Sequence, residues 1–285
     1  MRLAEFLLTE EFDLSSVTYY NKEQLKKAQK EADDYTAHHL KDGWQDIKLE
    51  SPTENDSDET KDELITITNI QEKRTDEDEN SIHISDQMDA FHFFEYLNDN
   101  NIDYRASEIS AIINDVWKVS RIFKNMYNRP RPYQIAEAYN MDFDTMHGES
   151  NKTPSYPSGH SCGTRLVAEY LSKKYPEHKD SFLEIAEKIG MGRIQAGFHY
   201  PSDHVAGIDL ALKVFPYLEI SEQHLNENFA DGKKKGKSRP GRVKRAGASC
   251  KGSVTSLRSK AKKASGEKAK MYHWCANMKS GRSKK

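Results

Sequence analysis

The sequence predicts an all-α protein, a helical bundle followed by a flexible basic tail. Between Leu64 and Leu218 the apolar residues recur at spacings of three and four, the signature of helices with one buried face. Two-residue alternation is scarce: LITITNI, residues 64–70, is the best strand candidate, and its charged neighbours favour helix there too.

In chain order, LAEFLL and KEQLKKAQKEADDYTAHHL predict helices within the first 50 residues, and SPTENDSDETKDE, residues 51–63, reads as an exposed acidic linker. The expected division is therefore an extension and linker over 1–63, a helical body over 64–220, and a basic tail over 221–285. MDAFHFFEYL offers a buried face of Met88, Phe91, Phe94 and Leu97. ISAIINDVWKVSRIFKNMY offers Ile109, Ile112, Ile113, Val116, Trp117, Ile122 and Phe123. Further helices are expected over CGTRLVAEYLSKKY, FLEIAEKIGMGRIQAGF and DHVAGIDLALKVFPYL, the last capped by Ser202 or Asp203. Past Asp231, DGKKKGKSRPGRVKR reads as flexible, and SVTSLRSKAKKASGEKAKMYHWCANMK as a segment able to become helical on a partner.

Charge divides the chain more sharply than its formal −2 suggests. Residues 233–285 carry nineteen lysines and arginines against one acid, Glu267, a net +18; the remainder carries −20. A tail of that sign points to nucleic acid or another polyanion as partner, with a solvated extension as the alternative. No apolar run is long enough to span a bilayer, and MRLAEFLLTEEF is too short a patch for a signal peptide, so a cytoplasmic location is expected. Cys162, Cys250 and Cys275 are odd in number and far apart, which argues against a disulfide framework, and Cys250, His273 and Cys275 are poorly spaced for zinc.

Three stretches carry reactive groups. GRIQAGFHYPSD sets His199 four residues before Asp203, so the carboxylate can hold one imidazole nitrogen and leave the other free to attack, with Arg193 close by in sequence. In KNMYNRPRP, Pro130 and Pro132 are expected to stop a helix near Tyr127 while Lys124 and Arg131 point into one cavity. In TPSYPSGHSCG, Pro157, Ser158 and Gly159 turn into a helix start whose free N–H groups suit an anion, with His160 available as a proton donor. Singly, each also reads as an ordinary helix end or solvated pair. Together they supply what in-line displacement at phosphorus requires: cations on the equatorial oxygens, an attacking imidazole and an acid for the leaving oxygen.

The order Lys-(six)-Arg-Pro, Pro-Ser-Gly-His, Arg-(five)-His-(three)-Asp resembles the three-part signature of the phosphatidic acid phosphatase type 2 superfamily, which includes bacterial acid phosphatases, lipid phosphate phosphatases and vanadium-dependent haloperoxidases. The resemblance covers about residues 64–218 and implies a helical bundle. It also implies His199 as nucleophile, Asp203 as its orienter and His160 as general acid, with Lys124, Arg131, Arg193, Ser158 and Gly159 binding phosphate. Gly192 departs from the signature, which often has Ser there, and His204 is expected to be an exposed neighbour. The implied activity is metal-independent phosphomonoester hydrolysis of a small substrate with no cofactor, vanadate acting as inhibitor. The alternatives are a vanadium-dependent haloperoxidase-like enzyme and a virion-associated binding protein, since the last residues also resemble basic C-termini of bacteriophage proteins.

Overall fold

The computed structural model describes residues 13–219, 227–228, 233–234 and 247–280, in two compact units, 1–225 and 226–285. The described residues of the first form the helices α1 (Lys22–Asp33), α2 (Asp58–Gln71), α3 (Asp76–Gln87), α4 (Phe91–Asp99), α5 (Ala106–Tyr127), α6 (Pro132–Ala136), α7 (Gly159–Lys174), α8 (Lys179–Gln195) and α9 (Pro201–Val214). The LAEFLL segment lies outside the described residues.

Helix α5 is the central column. Its face of Ile109, Ile112, Val116, Val119 and Phe123 packs with Leu166, Val167 and Leu171 of α7, Phe182 and Ile189 of α8, and Leu210 and Val214 of α9. The α4 stripe differs from expectation. Phe93 and Leu97 are the fully buried pair, whereas Met88 is 50% exposed, because α3 ends at Gln87 and α4 starts only at Phe91, so Met88 lies on neither helix. A second core joins Leu64 and Ile67 of α2 to Ile135 and Ala136 of α6, Ile194 and Tyr200, so LITITNI is helix.

The stretch 51–63 is no exposed linker, and the expected boundary at residue 63 falls inside α2. Thr60 and Asn55 are buried, Asn55 donating to the carbonyls of Leu14 and Val17, and Glu63 reaches Arg129 and Ser202. Sparse apolar content hid this packing because its contacts are mostly polar. Asn128, the left-handed residue (φ 47°) that ends α5, clips the N-terminal segment. Its backbone O accepts from Tyr19 N–H (3.0 Å), its Oδ1 accepts from Tyr20 N–H (2.9 Å), and its Nδ2 donates to Tyr20 O (2.8 Å). Lys118 of α5 donates to the Ala32 carbonyl and holds α1 against it.

In the second unit a two-residue antiparallel pair, β1 (Glu227–Asn228) with β2 (Lys233–Lys234), precedes a helical hairpin of α10 (Val254–Lys263) and α11 (Gly266–Ser280). Leu257, Cys275 and Ala276 form its small core, and Cys250 is disulfide-bonded to Cys275. The disulfide corrects the expectation drawn from three scattered cysteines, while the two helices fall in the segment read as able to become helical. An odd cysteine count concealed the pair, because Cys162 stays buried and free in the other unit. Most of DGKKKGKSRPGRVKR lies outside the described residues.

Candidate active site

The site forms where the C-terminal end of α5, the turn entering α7 and the loop between α8 and α9 meet. Helix α9 begins at Pro201 with Tyr200 as its cap, so Asp203 stands in the first turn rather than at the cap expected for it. There its Oδ2 accepts from Tyr200 N–H (3.0 Å) and from His199 Nδ1 (3.0 Å), which leaves His199 Nε2 with the lone pair. Arg131 Nη1 donates to that Nε2 at 3.0 Å.

Arg131 is completely buried yet held by neutral acceptors. Its Nη1 also donates to Phe198 O (2.7 Å), its Nε to Thr153 O (2.8 Å) and its Nη2 to Ser150 O (3.2 Å). None of these cancels its charge. Lys124 is likewise buried, its ammonium donating to Pro154 O (2.6 Å) and Ser155 O (3.1 Å). Burial, then the neighbouring Arg131 charge, pulls Lys124 well below the usual lysine range; burial lowers Arg131 to about 10. Burial, followed by Arg131, likewise keeps His199 neutral, against the pull of Asp203. A cavity that strains to hold positive charge is one that an oxyanion relieves.

Arg193 belongs to the same field but is turned toward a carboxylate: its Nη2 donates to Asp86 Oδ1 (2.5 Å) and to Ser150 Oγ, and its guanidinium lies 4.8 Å from the Phe198 ring centroid. Asp86 is driven to about 2, because hydrogen bonds from Ser150 and Glu149 N–H and the Arg193 charge outweigh burial. Ser150 therefore touches both Arg131, through its carbonyl, and Arg193, through its hydroxyl.

At the α7 start Ser158 is the helix cap, its Oγ accepting from Ser161 N–H (3.3 Å) and Ser161 Oγ (2.9 Å), while its N–H donates to Asp203 O (2.9 Å). A Cβ at Gly159 would make only ordinary contacts with Ser120 and Lys124, so the protein itself does not require glycine there. The buried His160 has Nε2 3.4 Å from Asp89 Oδ1, without the alignment of a hydrogen bond. Thus His160 Nε2 and Arg193 Nε are buried nitrogens of the site with no hydrogen-bond partner among the described residues.

Several residues of the site escaped the sequence reading. Arg129, between the two prolines and the α5 end, donates to Asp203 Oδ1 (2.7 Å), Ser202 Oγ (2.8 Å), Thr53 Oγ1 (3.0 Å) and Glu63 Oε2 (3.1 Å), and its guanidinium lies 3.9 Å over Tyr200. Its place in Asn-Arg-Pro-Arg-Pro was the available signal. Ser155 donates to Asp203 Oδ2. Asp86 and Asp89 carried no local signal, since both act across long stretches of chain. His204, expected to be exposed, is 6% exposed and lies between Ser161 Oγ (2.8 Å) and Glu187 Oε1 (3.2 Å). At Gly192 a Cβ would meet the Ile82 side chain at 3.1 Å, so a serine there requires Ile82 to shift by a few tenths of an ångström.

Among the described residues no group of three His, Cys, Asp or Glu could hold a metal ion, and no helix is long and apolar enough to cross a membrane.

Residues 109–218 match the family model described as PAP2 superfamily. The chain is 30% identical to the non-specific acid phosphatase of Providencia stuartii over 129 residues, 44% of this chain and 48% of that protein. It is 30% identical to a lipid A 1-phosphatase of Rhizobium johnstonii (strain DSM 114642 / LMG 32736 / 3841) over 90 residues, 32% of this chain and 36% of that protein. The chain thus spans less than half the length of either relative. A bacterial vanadium-dependent iodoperoxidase aligns in structure with a TM-score of 0.44 and 18% identity, over 65% of this chain and 56% of that one.

Proposed function

We propose that the chain, whose residues 109–218 match the PAP2 superfamily model, is a phosphomonoester hydrolase working through a phosphohistidine. The observation that carries the reading is His199, its Nδ1 on Asp203 and its Nε2 beside Arg131 in a buried, cation-rich cavity. Nε2 attacks phosphorus as the bond to the leaving oxygen breaks. Lys124, Arg131 and Arg193 neutralise the equatorial oxygens, helped by the N–H groups at the α7 start beside Ser158 and Gly159. His160, steadied by Asp89, gives its proton to the leaving alkoxide and then takes one from the water that opens the phosphohistidine, releasing phosphate. Burial raises Asp89, yet His160 and the Trp117 hydrogen bond hold it below its usual range, so it stays an anion beside the imidazole. The buried Arg193 Nε, which has no hydrogen-bond partner among the described residues, supports an oxyanion as the natural occupant.

With protein cations neutralising the phosphate, hydrolysis of 4-nitrophenyl phosphate should proceed in the presence of a chelator and be inhibited by vanadate, a mimic of pentacoordinate phosphorus. His199→Ala should abolish both turnover and the acid-labile phosphoprotein seen after rapid quench, whereas His160→Ala should slow both formation and decay of that species. Unchanged rates in both variants would sink the assignment. The tail supports a second role as a polyanion-binding element, because Lys251, Arg258, Lys260, Lys262 and Lys263 are all exposed. Retention on DNA that weakens steeply with salt is its test.

A further inference from the structure

A cavity of about 290 Å³ opens beside the phosphate-holding stretch, lined by Tyr20, Trp117, Arg121, Lys124, Ser150 and Thr153 and closed on one side by Ala28 and Glu31 of α1. We propose that this cavity is the leaving-group subsite and that Arg121 within it binds a second anionic group, so that the preferred substrates are phosphomonoesters of a planar ring bearing an acidic substituent. The inference rests on the phosphatase reading above and adds the substrate class to it.

Three observations give direction and chemistry. The leaving oxygen is delivered to His160, whose ring stands edge-on to Trp117 with centroids 6.3 Å apart, so the rest of the alcohol runs out along Trp117. Arg121 follows Trp117 by one turn of α5 and precedes Lys124 by one turn, placing all three on one helix face. Its guanidinium lies 5.9 Å from the Trp117 ring centroid, and it makes no hydrogen bond or ion pair among the described residues. The acids of the cavity, by contrast, are already matched, Glu31 with Lys27 (4.0 Å) and Glu149 with Lys152. Arg121 is therefore the uncommitted charge at the outer end of the path, and a guanidinium against an aromatic wall suits a ring with a carboxylate or second phosphate. Space permits it: an apolar cavity of about 150 Å³ holds a benzene ring, and this one is larger. Tyr20, Ala28 and Glu31 lie outside residues 109–218, so one wall of the subsite comes from sequence beyond the family match.

The test compares phenyl phosphate with 4-carboxyphenyl phosphate on the wild type, Arg121→Gln and Arg121→Lys. Arg121→Gln should raise KM for the carboxylated ester by about 10- to 100-fold, the loss of one hydrogen bond between charged groups, and leave kcat little changed. Its kcat/KM for phenyl phosphate should stay within about twofold, and Arg121→Lys should recover most of the preference. Equal losses on both esters, or no loss on either, would overturn the proposal. Calorimetric titration with benzylphosphonate and 4-carboxybenzylphosphonate reads the subsite without turnover. Arg121-dependent discrimination between the phosphonates in a protein that hydrolyses neither ester would retire the phosphatase reading while keeping the subsite, and absence of discrimination would retire the subsite alone.

Discussion

Replacing Arg129 by Met tests the electrostatic logic of the site at a residue that touches no substrate in the proposed mechanism. The guanidinium is 2% exposed, and its ion partners Asp203 and Glu63 are 0% and 15% exposed. Methionine fills much of the volume but leaves Asp203 Oδ1 without its 2.7 Å donor and both carboxylates without the guanidinium that pairs them. Stranding a buried charge in this way costs about 3–5 kcal/mol, a large part of the stability of a typical domain. Activity should fall less, by about 10-fold in kcat, or 1.4 kcal/mol, because Ser155, Tyr200 N–H and His199 still hold the other oxygen of Asp203. The pH dependence should change as well. Burial raises the Asp203 carboxyl, but Arg129 and the His199 and Ser155 hydrogen bonds override it and hold it far below the ordinary value. Its stabilising contribution is thus complete above the unfolded carboxyl pKa and is lost only as pH falls through the depressed folded value. Without Arg129 the folded value climbs, so acid unfolding should begin at higher pH. Urea unfolding at neutral pH, an acid titration followed by circular dichroism, and steady-state kinetics on 4-nitrophenyl phosphate read the three effects. A variant with wild-type unfolding free energy and an unshifted acid transition would refute the argument.

Orthovanadate or phosphate should stabilise the folded protein by relieving crowded cations; at a hundred times its Kd the gain is about 2.7 kcal/mol, readable as a higher Tm. Acidification from neutral pH should weaken the protein, because His199 is held below its unfolded value and the unfolded chain therefore binds the extra proton, and vanadate should oppose that loss. Gly207→Ala would bring a Cβ to 2.6 Å from Ser158 O and 3.2 Å from Cys162 N, backbone that cannot swing aside. A loss of about 1–3 kcal/mol in urea unfolding is expected, with reduced turnover as the α7 start is displaced. A chain ending at residue 232 should keep hydrolysis of 4-nitrophenyl phosphate, since the site residues all lie in the first compact unit; loss of folding would show otherwise.

What could be read from the sequence followed the range of the interactions. The helices of the body were legible because their apolar spacing is local, as at Ile109, Ile112 and Val116. The pairing of His199 with Asp203 spans four residues and needs only a tight turn, and the stop of α5 after Tyr127 is written in Pro130 and Pro132. Arg129 was overlooked because, beside Arg131, composition cannot say which guanidinium grips the orienting carboxylate and which faces the imidazole. Asp86 meets Arg193 from more than a hundred residues away, and no spacing rule reaches that far. The polar character of residues 51–63 suggested solvent, yet Asn55 and Thr60 bury their amide and hydroxyl by satisfying them, which hydropathy cannot register. The paired cysteines were hidden by the third, which no partner can reach in its core.

The clip at Asn128 makes the segment around Tyr19 and Tyr20 a structural strut of the proposed catalytic centre. Tyr19 and Tyr20 occupy the carbonyl and the whole amide of a buried asparagine whose left-handed backbone directs the chain from Lys124 toward Arg129 and Arg131. A protein trimmed back to α1 would keep its reactive groups but lose the brace on the bend that aims two of its guanidiniums, so the segment most easily dismissed as an appendage is tied to the alignment of the chemistry.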